Sequence, residues 1–255
     1  MRSAGAAAGG PLGSPAALRG AAAIMAALAL AGCESSQEKS AKLERAAKLA
    51  AAHEARVNKG LAITRESAVV KTLSAVVVSG SEGAAAVVSV RNASAQALAS
   101  VPIAIAVKDA QGRTVFQNDA PGLEAALTTI ALVPAHGEAT WVDDQLPKSG
   151  APASVAVRLG EAPPVPGPTP QIAVTGLHGE EAGAGAAGTV RNDSQLAQRK
   201  LVVFVVARRA GRVVAAGRAI VAELAPGASA PFQVFFVGSA AGASLQASAP
   251  ATTLG

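Results

Sequence analysis

The sequence predicts an all-β protein, built as two tandem antiparallel β-sandwiches that follow an N-terminal signal peptide and a helical tether. From residue 67 onward, short Val-rich runs alternate with Gly, Ser, Asn and Pro, and apolar residues recur at every second position, as in 101–107. This spacing is typical of antiparallel strands with one buried face. The second half of the chain repeats motifs of the first, so we expect two copies of one sandwich.

The composition bounds the kinds of site that the protein can build. Half of the 255 residues are hydrophobic, and most of these are Ala and Val, so we expect thin aliphatic cores rather than disorder. The chain has one Cys, one Trp and no Tyr. A single Cys provides neither a disulfide nor a structural zinc site, and so few aromatics argue against stacking on nucleic-acid bases. We expect no cofactor and no nucleic-acid partner.

The first 32 residues have the form of a signal peptide. Arg2 and Arg19 are their only charged residues, and the apolar run 21–31 follows. Such a run is too short to span a bilayer and is typical of an export signal. Removing the segment leaves 20 basic and 17 acidic residues, so the net charge falls from +5 to +3. That balance gives no support to nucleic-acid binding.

The segment ends in Leu30-Ala31-Gly32-Cys33, with small residues at the two positions before the Cys. The motif resembles the lipobox of bacterial lipoproteins. The resemblance implies cleavage between Gly32 and Cys33, diacylglycerol on the Cys33 sulfur, and usually acylation of the new N-terminus. It implies an exported protein anchored to a bacterial membrane, the outer one if the organism has one, because Glu34 follows the Cys. Two or three acyl chains hold a protein durably on a bilayer. The alternative is an ordinary signal peptide with an unmodified Cys.

A helical tether is expected over residues 33–66. Strong helix formers fill 36–58, Ser35 and Glu38 have capping-box spacing, and Gly60 supplies a stop signal. We expect a solvated spacer that holds the sandwiches away from the membrane. A helix packed on the first sandwich, or a short coiled coil, are the alternatives.

The sandwiches are expected over 67–160 and 171–255, with a Pro-rich linker at 161–170. Such a linker leans to the polyproline II conformation and is semi-rigid. Two motif pairs carry the repeat: Val90-Arg91-Asn92-Ala-Ser94 recurs 100 residues later as Val190-Arg191-Asn192-Asp-Ser194, and Leu132-Val-Pro134 matches Leu224-Ala-Pro226. Between these motifs, 103–115 aligns with 202–214 after a one-residue deletion. Each Asn is interpreted as part of a turn in which its side chain bonds nearby backbone.

The order of these motifs resembles that of bacterial FxLYD-type domains, which are Ig-like β-sandwiches of exported and lipid-anchored proteins. The resemblance covers most of 67–160 and 171–250. The naming motif is absent, because the chain has no Tyr; Asp109-x-x-Gly112 is its nearest match, and Arg208 takes the place of that Asp in the second repeat. The resemblance implies an Ig-like fold for both repeats. It implies nothing about function, which depends on sites rather than folds.

The residues that most often carry chemistry are scattered. His53, His136 and His178 lie singly in separate segments, whereas a metal site or an activated nucleophile needs several converging groups. Asp143 and Asp144 are neighbours on a strand and point to opposite faces, so we interpret them as a solvated strand end. The sequence therefore predicts no catalytic residues and no metal site, and a protein that is not an enzyme.

A basic cluster is the candidate contact for an anionic partner. Residues 67–165 carry 6 basic and 8 acidic residues, whereas 166–255 carry 7 and 4. Arg208, Arg209 and Arg212 surround the predicted hairpin turn of the second repeat, and Arg218 lies nearby. The cluster fits an acidic envelope protein or an anionic cell-wall polymer. The alternative is a solubilising hairpin tip that prevents edge-to-edge aggregation of sheets.

Together these features predict a lipid-anchored cell-envelope protein with a non-enzymatic binding or scaffolding role. Two alternatives remain open at this point. One is an enzyme that modifies an envelope polymer, and the other is a structural spacer subunit of an envelope complex. The sequence leaves the partner and the oligomeric state open.

Overall fold

Antiparallel β-strands are the main regular structure of the part of the chain that the computed structural model describes, which is residues 60–81 and 83–255. The first half contains β1 Val70–Ser79, β2 Ala84–Asn92, β3 Leu98–Lys108, β4 Thr114–Gln117, β5 Thr129–Val133, β6 Glu138–Leu146 and β7 Ser154–Leu159. The second half contains β8 Ile172–Gly179, β9 Gly185–Asn192, β10 Gln198–Arg209, β11 Arg212–Leu224, β12 Ser229–Phe235, β13 Val237–Gly238 and β14 Ser244–Ser248. A short helix, α1 Ala125–Thr128, and a 3-10 turn, Glu181–Gly183, are the helical elements of this described part. The predicted all-β fold is confirmed. The predicted signal peptide, Cys33 and the predicted helix over 36–58 lie outside the described residues.

The apolar alternation that predicts strands from the sequence is visible in the burial of β3. Val101, Ile103, Ile105 and Val107 are at most 2% exposed, and the residues between them are only partly buried. Side chains of a strand alternate between its two faces, so β3 presents one apolar face to a core.

The strands form four antiparallel sheets, two in each half. In the first half, β1-β2-β6 is one sheet, and β3 with its partners β4, β5 and β7 is the other. In the second half, β8-β9-β12 is one sheet, and β13-β11-β10-β14 is the other. Both sheets of the first half contribute residues to one hydrophobic cluster, which includes Trp141, Ile103 and Ile130. The second half has its own cluster, which includes Leu201, Val203 and Phe232.

The two halves also share a buried face. On β10, Leu201, Val203 and Val205 pack in the core of the second half. The intervening Val202, Phe204 and Val206 belong to the cluster of the first half, and are at most 5% exposed. Strand β2 is likewise buried at five consecutive residues, 84–88. Strands buried on both faces lie inside a stack of sheets, so the sheet β1-β2-β6 lies between its own partner sheet and the β10-β11 sheet.

The Pro-rich segment lies along the first repeat. The Ala99 amide donates to the carbonyl of Pro163 at 3.0 Å, and the Val165 amide donates to the carbonyl of Ala97 at 2.8 Å. Val165 is 8% exposed. Proline has no backbone N–H group to donate, but its carbonyl still accepts a hydrogen bond. The Pro-rich segment can therefore bond to the start of β3.

The repeated Asn residues fasten the same turn in both halves. The Asn92 amide group donates to the carbonyls of Gln96 and Pro134, at 2.7 and 3.1 Å, and its oxygen accepts the Ser94 amide. Asn192 makes the corresponding bonds to Leu196, Leu224 and Ser194. Both Asn residues are fully buried. The two repeated motifs are therefore bonded to each other, because Asn92 reaches Pro134 and Asn192 reaches Leu224.

The predicted alignment of 103–115 with 202–214, which places a one-residue deletion before the long strands β3 and β10, is wrong. Ile103 faces the core of its own repeat, as Val203 does, whereas Val202 faces the other repeat. Ser100 and Lys200 both have φ of 48° at the start of their strands, which also gives a separation of 100 residues. Apolar residues occupy both faces of β10, so its sequence does not reveal the register. The missing residue falls instead in the following hairpin turn.

The halves differ most at the strand that pairs with β3 or β10. In the second half, β11 pairs with β10 along nearly all its length. In the first half this place is divided between β4 and β5, and α1 lies between them. Between β4 and β5, the fully buried side chain of Asn118 takes the place of the backbone hydrogen bonds that a continuous strand would make to β3. Its oxygen accepts the Ile105 amide at 2.7 Å, and its amide group donates to the carbonyls of Ile103 and Leu127. The Trp141 indole donates to the carbonyl of Ala126 in α1 at 2.8 Å.

Candidate functional site

The three predicted hairpin arginines do lie together at the β10–β11 turn. Arg209 pairs with Arg212 across the turn, and Ala210 and Gly211 have φ of 49° and 77°. Arg209 and Arg212 are exposed, and Arg208 is partly buried. Arg209 donates to the carbonyl of Ala241. The turn therefore presents a basic tip to solvent.

Arg218 does not belong to this cluster, so its prediction as a contact for an anionic partner is wrong. Its side chain is 4% exposed and lies on the β11 face that packs against the first repeat. The Arg218 Nε atom is 2.9 Å from Asp144 Oδ1, and its backbone amide donates to Asp144 Oδ2 at 3.1 Å. The guanidinium is occupied by a carboxylate of the other repeat and is closed to an external anion.

Asp143 and Asp144 are not the solvated strand end that the sequence suggests. Asp143 is 1% exposed, and the Asp144 side chain is 18% exposed. Burial raises the pKa of Asp143 to about 6, although the Gln145 amide and the charge of Arg218 act to lower it. The Arg218 Nη1 atom is buried without a hydrogen-bond partner in the described chain. Two carboxylates and one guanidinium thus form a buried charge cluster at the junction of the repeats.

Asp109, which lies in the stretch that best matches the FxLYD motif, has a structural role in its turn. Its Oδ1 atom accepts the amides of Gln111 and Arg113, both at 2.9 Å, and its Oδ2 atom accepts from Arg113 Nε at 2.8 Å. Burial acts to raise the pKa of Asp109, but these hydrogen bonds from Arg113 and Gln111 outweigh it, and the net pKa is lowered. All the contacts that lower this pKa are within the turn.

A cleft between the two repeats is the candidate binding site. Its volume is about 460 Å³, within the range of roughly 300 to 1,000 Å³ that is usual for small-molecule sites. One wall consists of small residues from α1 and β5 of the first repeat, namely Ala125, Ala126, Thr129 and Ala131. The floor consists of apolar residues from β10 and β11 of the second repeat, namely Val202, Phe204, Ile220 and Ala222.

The cleft exists because the shared face is covered along only part of its length. Ala216 and Val206, which pair across β10 and β11, are 0% and 3% exposed. Further along the same face, Ile220 pairs with Val202 and is 48% exposed. The apolar surface of the second repeat therefore continues beyond the first repeat that covers it, and Ile220 marks the uncovered part.

Charged residues stand at the mouth of the cleft. Arg199 and Lys200 lie on the side of the second repeat, and Glu124 lies on the side of the first. All three are exposed, and within 60–81 and 83–255 none of them forms a salt bridge. Ser100 and Lys200, the two residues with φ of 48°, both line the cleft. Left-handed backbone at a non-glycine residue is uncommon, and here it occurs at matching positions of both repeats.

The sequence pattern does not predict this cleft. The alternation of Ile220 and Ala222 gives a strand with an apolar face, but it does not say which other sheet covers that face. The residues between β4 and β5 carry no repeat motif, which is the one signal that the two halves differ there. The cleft depends on how the repeats pack, and the hydrophobic pattern of a single strand does not specify that.

The other sequence-based candidates do not come together in the structure. His136 lies in the β5–β6 turn, the His178 ring contacts the carbonyl of Gly176 at 2.8 Å in an exposed position, and His53 lies outside the described residues. Within the described ranges, no three His, Cys, Asp or Glu residues are grouped to hold a metal ion. The helical elements of this part of the chain also lack the length and hydrophobicity needed to cross a membrane.

Comparisons with known proteins add little. No protein-family model matches the chain. No curated protein matches it. Among solved structures, a crystal structure of red sea bream transglutaminase is similar over 86% of this chain, with 13% sequence identity and a TM-score of 0.20. The chain spans 32% of the length of that transglutaminase chain. A similarity at this TM-score carries no argument about the fold or the activity of this protein.

Proposed function

We propose that this protein is exported, anchored by lipid on Cys33 to a membrane of the cell envelope, and acts by binding rather than by catalysis. The observation that carries the binding role is the apolar cleft between the repeats, with its charged mouth. Concave, mainly apolar sites with a few polar groups are the usual form of a small-molecule binding site.

The anchoring part of the proposal is supported by the N-terminal sequence. Leu30-Ala31-Gly32-Cys33 resembles a lipobox, and Cys33 is the only Cys of the chain. Two or three acyl chains bind a bilayer durably, whereas a single chain binds it only marginally. A protein that is anchored in this way holds its binding site close to the envelope surface.

The non-enzymatic part is supported by how the buried charged groups are used. Asp109 bonds to its own turn, and Asp144 bonds to Arg218 across the repeats. Asp143, the group with the raised pKa, accepts the amide of Gln145 at 3.0 Å within its own strand. Perturbed carboxyl groups often mark catalytic sites, but ion-pair networks that maintain structure perturb them too. We assign these groups to the junction between the repeats.

Cell fractionation with lipid labelling tests the anchor. Cells that express the full chain, or its Cys33→Ala variant, are fed an alkyne analogue of palmitate and separated into membrane and soluble fractions. We expect the unaltered protein to carry the label in the membrane fraction, and the variant to be unlabelled and soluble. Ser35→Ala, two residues away, is the matched control and is expected to behave as the unaltered chain. An equal amount of Cys33→Ala and unaltered protein in the membrane would refute the anchor.

A further inference from the structure

We infer that the cleft binds a single-chain amphipathic anion, whose hydrocarbon chain lies on the β10–β11 floor and whose carboxylate lies at the basic mouth. The inference rests on the proposed binding function and names the chemical class of its ligand. Three features of the cleft carry it: an apolar floor that is uncovered at Ile220 and Ala222, a wall of small side chains, and an excess of positive charge on the side of the second repeat.

The floor supplies the site for the hydrocarbon chain. Of the four floor residues, Ile220 is 48% exposed and Ala222 is also exposed, whereas Val202 and Phe204 are 5% and 4% exposed. Covering exposed apolar surface favours binding in proportion to the area removed from water. The first repeat buries Val206 and Ala216 on this face, and a bound hydrocarbon chain would bury Ile220 in the same way.

The wall leaves room for a narrow ligand. α1 and β5 present Ala125, Ala126, Thr129 and Ala131 to the cleft, and none of these side chains is large. The indole of Trp141 donates to the carbonyl of Ala126, and the side chain of Asn118 donates to the carbonyl of Leu127. Both donors fix α1 to the first repeat. The wall is therefore held in place by buried hydrogen bonds.

The mouth selects the charge of the head group. Arg199 and Lys200 are adjacent and exposed, and Glu124 is the opposing carboxylate at the mouth. Glu223 lies opposite Arg199 on β11, so Arg199, Lys200 and Glu223 leave a net charge of about +1 on the side of the second repeat, and this charge attracts a carboxylate. The cations lie on the second repeat and Glu124 on the first, so the carboxylate is expected on the side of Arg199 and Lys200.

Calorimetric titration of three ligands with the same chain length tests the chemistry. The full chain carrying Cys33→Ser, which has no lipid of its own, is titrated with laurate, dodecanol and dodecylammonium below their micellar concentrations. We expect saturable binding of laurate at one site, weaker binding of dodecanol and the weakest binding of dodecylammonium. Equal affinity for laurate and dodecylammonium would overturn the assignment of an anionic ligand, and no laurate binding would overturn the inference altogether.

Paired substitutions test the location. Ile220→Glu places a carboxylate on the floor and is expected to weaken laurate binding by about tenfold or more. Phe235→Glu is the matched control, because Phe235 is 70% exposed on β12 and does not line the cleft. Arg199→Glu is expected to weaken laurate binding by about fivefold while leaving dodecanol binding within twofold. Arg212→Glu makes the same charge change at the hairpin tip and is expected to have little effect.

The outcomes separate this inference from the proposed function. Unchanged laurate affinity in Ile220→Glu would place the ligand elsewhere and overturn the inference. A protein that is anchored through Cys33 but binds no laurate would overturn the ligand class while leaving the anchor intact. Loss of the anchor in the fractionation experiment, together with laurate binding in the cleft, would overturn the localisation alone.

Discussion

The two repeats share their strand order and their buried Asn motif, but they differ at the strand beside β3 and β10. In the second repeat this strand is continuous, as β11, and its outer face forms the floor of the cleft. In the first repeat it is divided into β4 and β5, and the intervening α1 forms the wall. Equivalent segments of the two repeats thus form opposite sides of one cleft: β11 forms the floor, and the segment from β4 to β5 forms the wall. The candidate site therefore lies where the two duplicated halves differ in structure.

The repeats also use different residues at their hairpin turns. In the first repeat, Asp109 accepts two backbone amides and the Arg113 side chain within a longer turn, with Gly112 at φ 79°. The second repeat has a two-residue turn, in which Ala210 and Gly211 both have positive φ. Two-residue turns of this kind match the twist of the flanking strands. The second turn needs no carboxylate to hold it, and arginines flank it instead.

Breaking the ion pair between the repeats is expected to have the largest effect on stability. Arg218→Ala leaves Asp143 and Asp144 at the junction without their cation. Removing one partner of a buried ion pair typically costs about 3 to 5 kcal/mol, and we expect a loss of this size in the free energy of unfolding by urea. Arg158→Ala is the control, because Arg158 and Glu66 form a pair whose side chains are 59% and 63% exposed. An exposed pair contributes about 1 kcal/mol or less. Equal losses in the two variants would contradict the role of Arg218.

Removing the Asn118 side chain is expected to have the next largest effect. Asn118→Ala leaves the Ile105 amide and the carbonyls of Ile103 and Leu127 without their partner inside the first repeat. Unsatisfied buried groups cost about 1 to 3 kcal/mol each, and partial relaxation reduces the sum, so we expect a loss of about 3 kcal/mol in urea unfolding. Gln171→Ala serves as control, since the Gln171 side chain is exposed. A loss below about 1 kcal/mol would show that β4 and β5 do not depend on Asn118.

Asp143→Asn is expected to stabilise the protein above pH 6. The pKa of Asp143 is raised to about 6 by burial, whereas the ordinary value is 3.8. The folded state therefore holds this proton more strongly, and stability falls as pH rises from about 4 to about 6. A shift of this size corresponds to about 3 kcal/mol. Asn removes this penalty, so the variant is expected to gain up to about 3 kcal/mol at pH 8 and little at pH 4. Unfolding at both pH values checks this; an equal change at pH 4 and pH 8 would contradict the cause.

The smallest effect on stability is expected at the hairpin tip. Changing Arg208, Arg209 and Arg212 to Ser is expected to alter the free energy of unfolding by less than about 0.5 kcal/mol, because surface substitutions rarely do more. If the tip binds anionic partners, this variant will elute from an immobilised polyanion at a lower salt concentration than a control variant. The control has Lys71, Lys108 and Lys148 changed to Ser. Elution of both at the same salt concentration would leave the tip with the solubilising role alone.

Much of the architecture was predictable because strand patterns are local. The alternation at 101–107 and the repeated Asn and Leu-x-Pro motifs specify antiparallel strands and two copies of one fold. The packing between the copies was not predictable in the same way. Val202 and Phe204 are as apolar as Val203 and Val205, so nothing local assigns one set to the shared face. Arg218 and Asp144 are 74 residues apart, and each by itself has the sequence signature of an exposed charge.

The two repeats form one body through the shared face of β1-β2-β6 and β10-β11. Trp141, the only Trp, lies in the first repeat, so its fluorescence reports the unfolding of that repeat, whereas circular dichroism reports the strands of both. The most direct measurement is urea unfolding of the full chain and of Val205→Ala, a core variant of the second repeat, followed by both signals. We expect the two signals to change at the same urea concentration in each protein, and Val205→Ala to lower both midpoints together. A Trp141 transition that stays in place while the circular dichroism transition shifts would show that the repeats unfold independently and do not form one body.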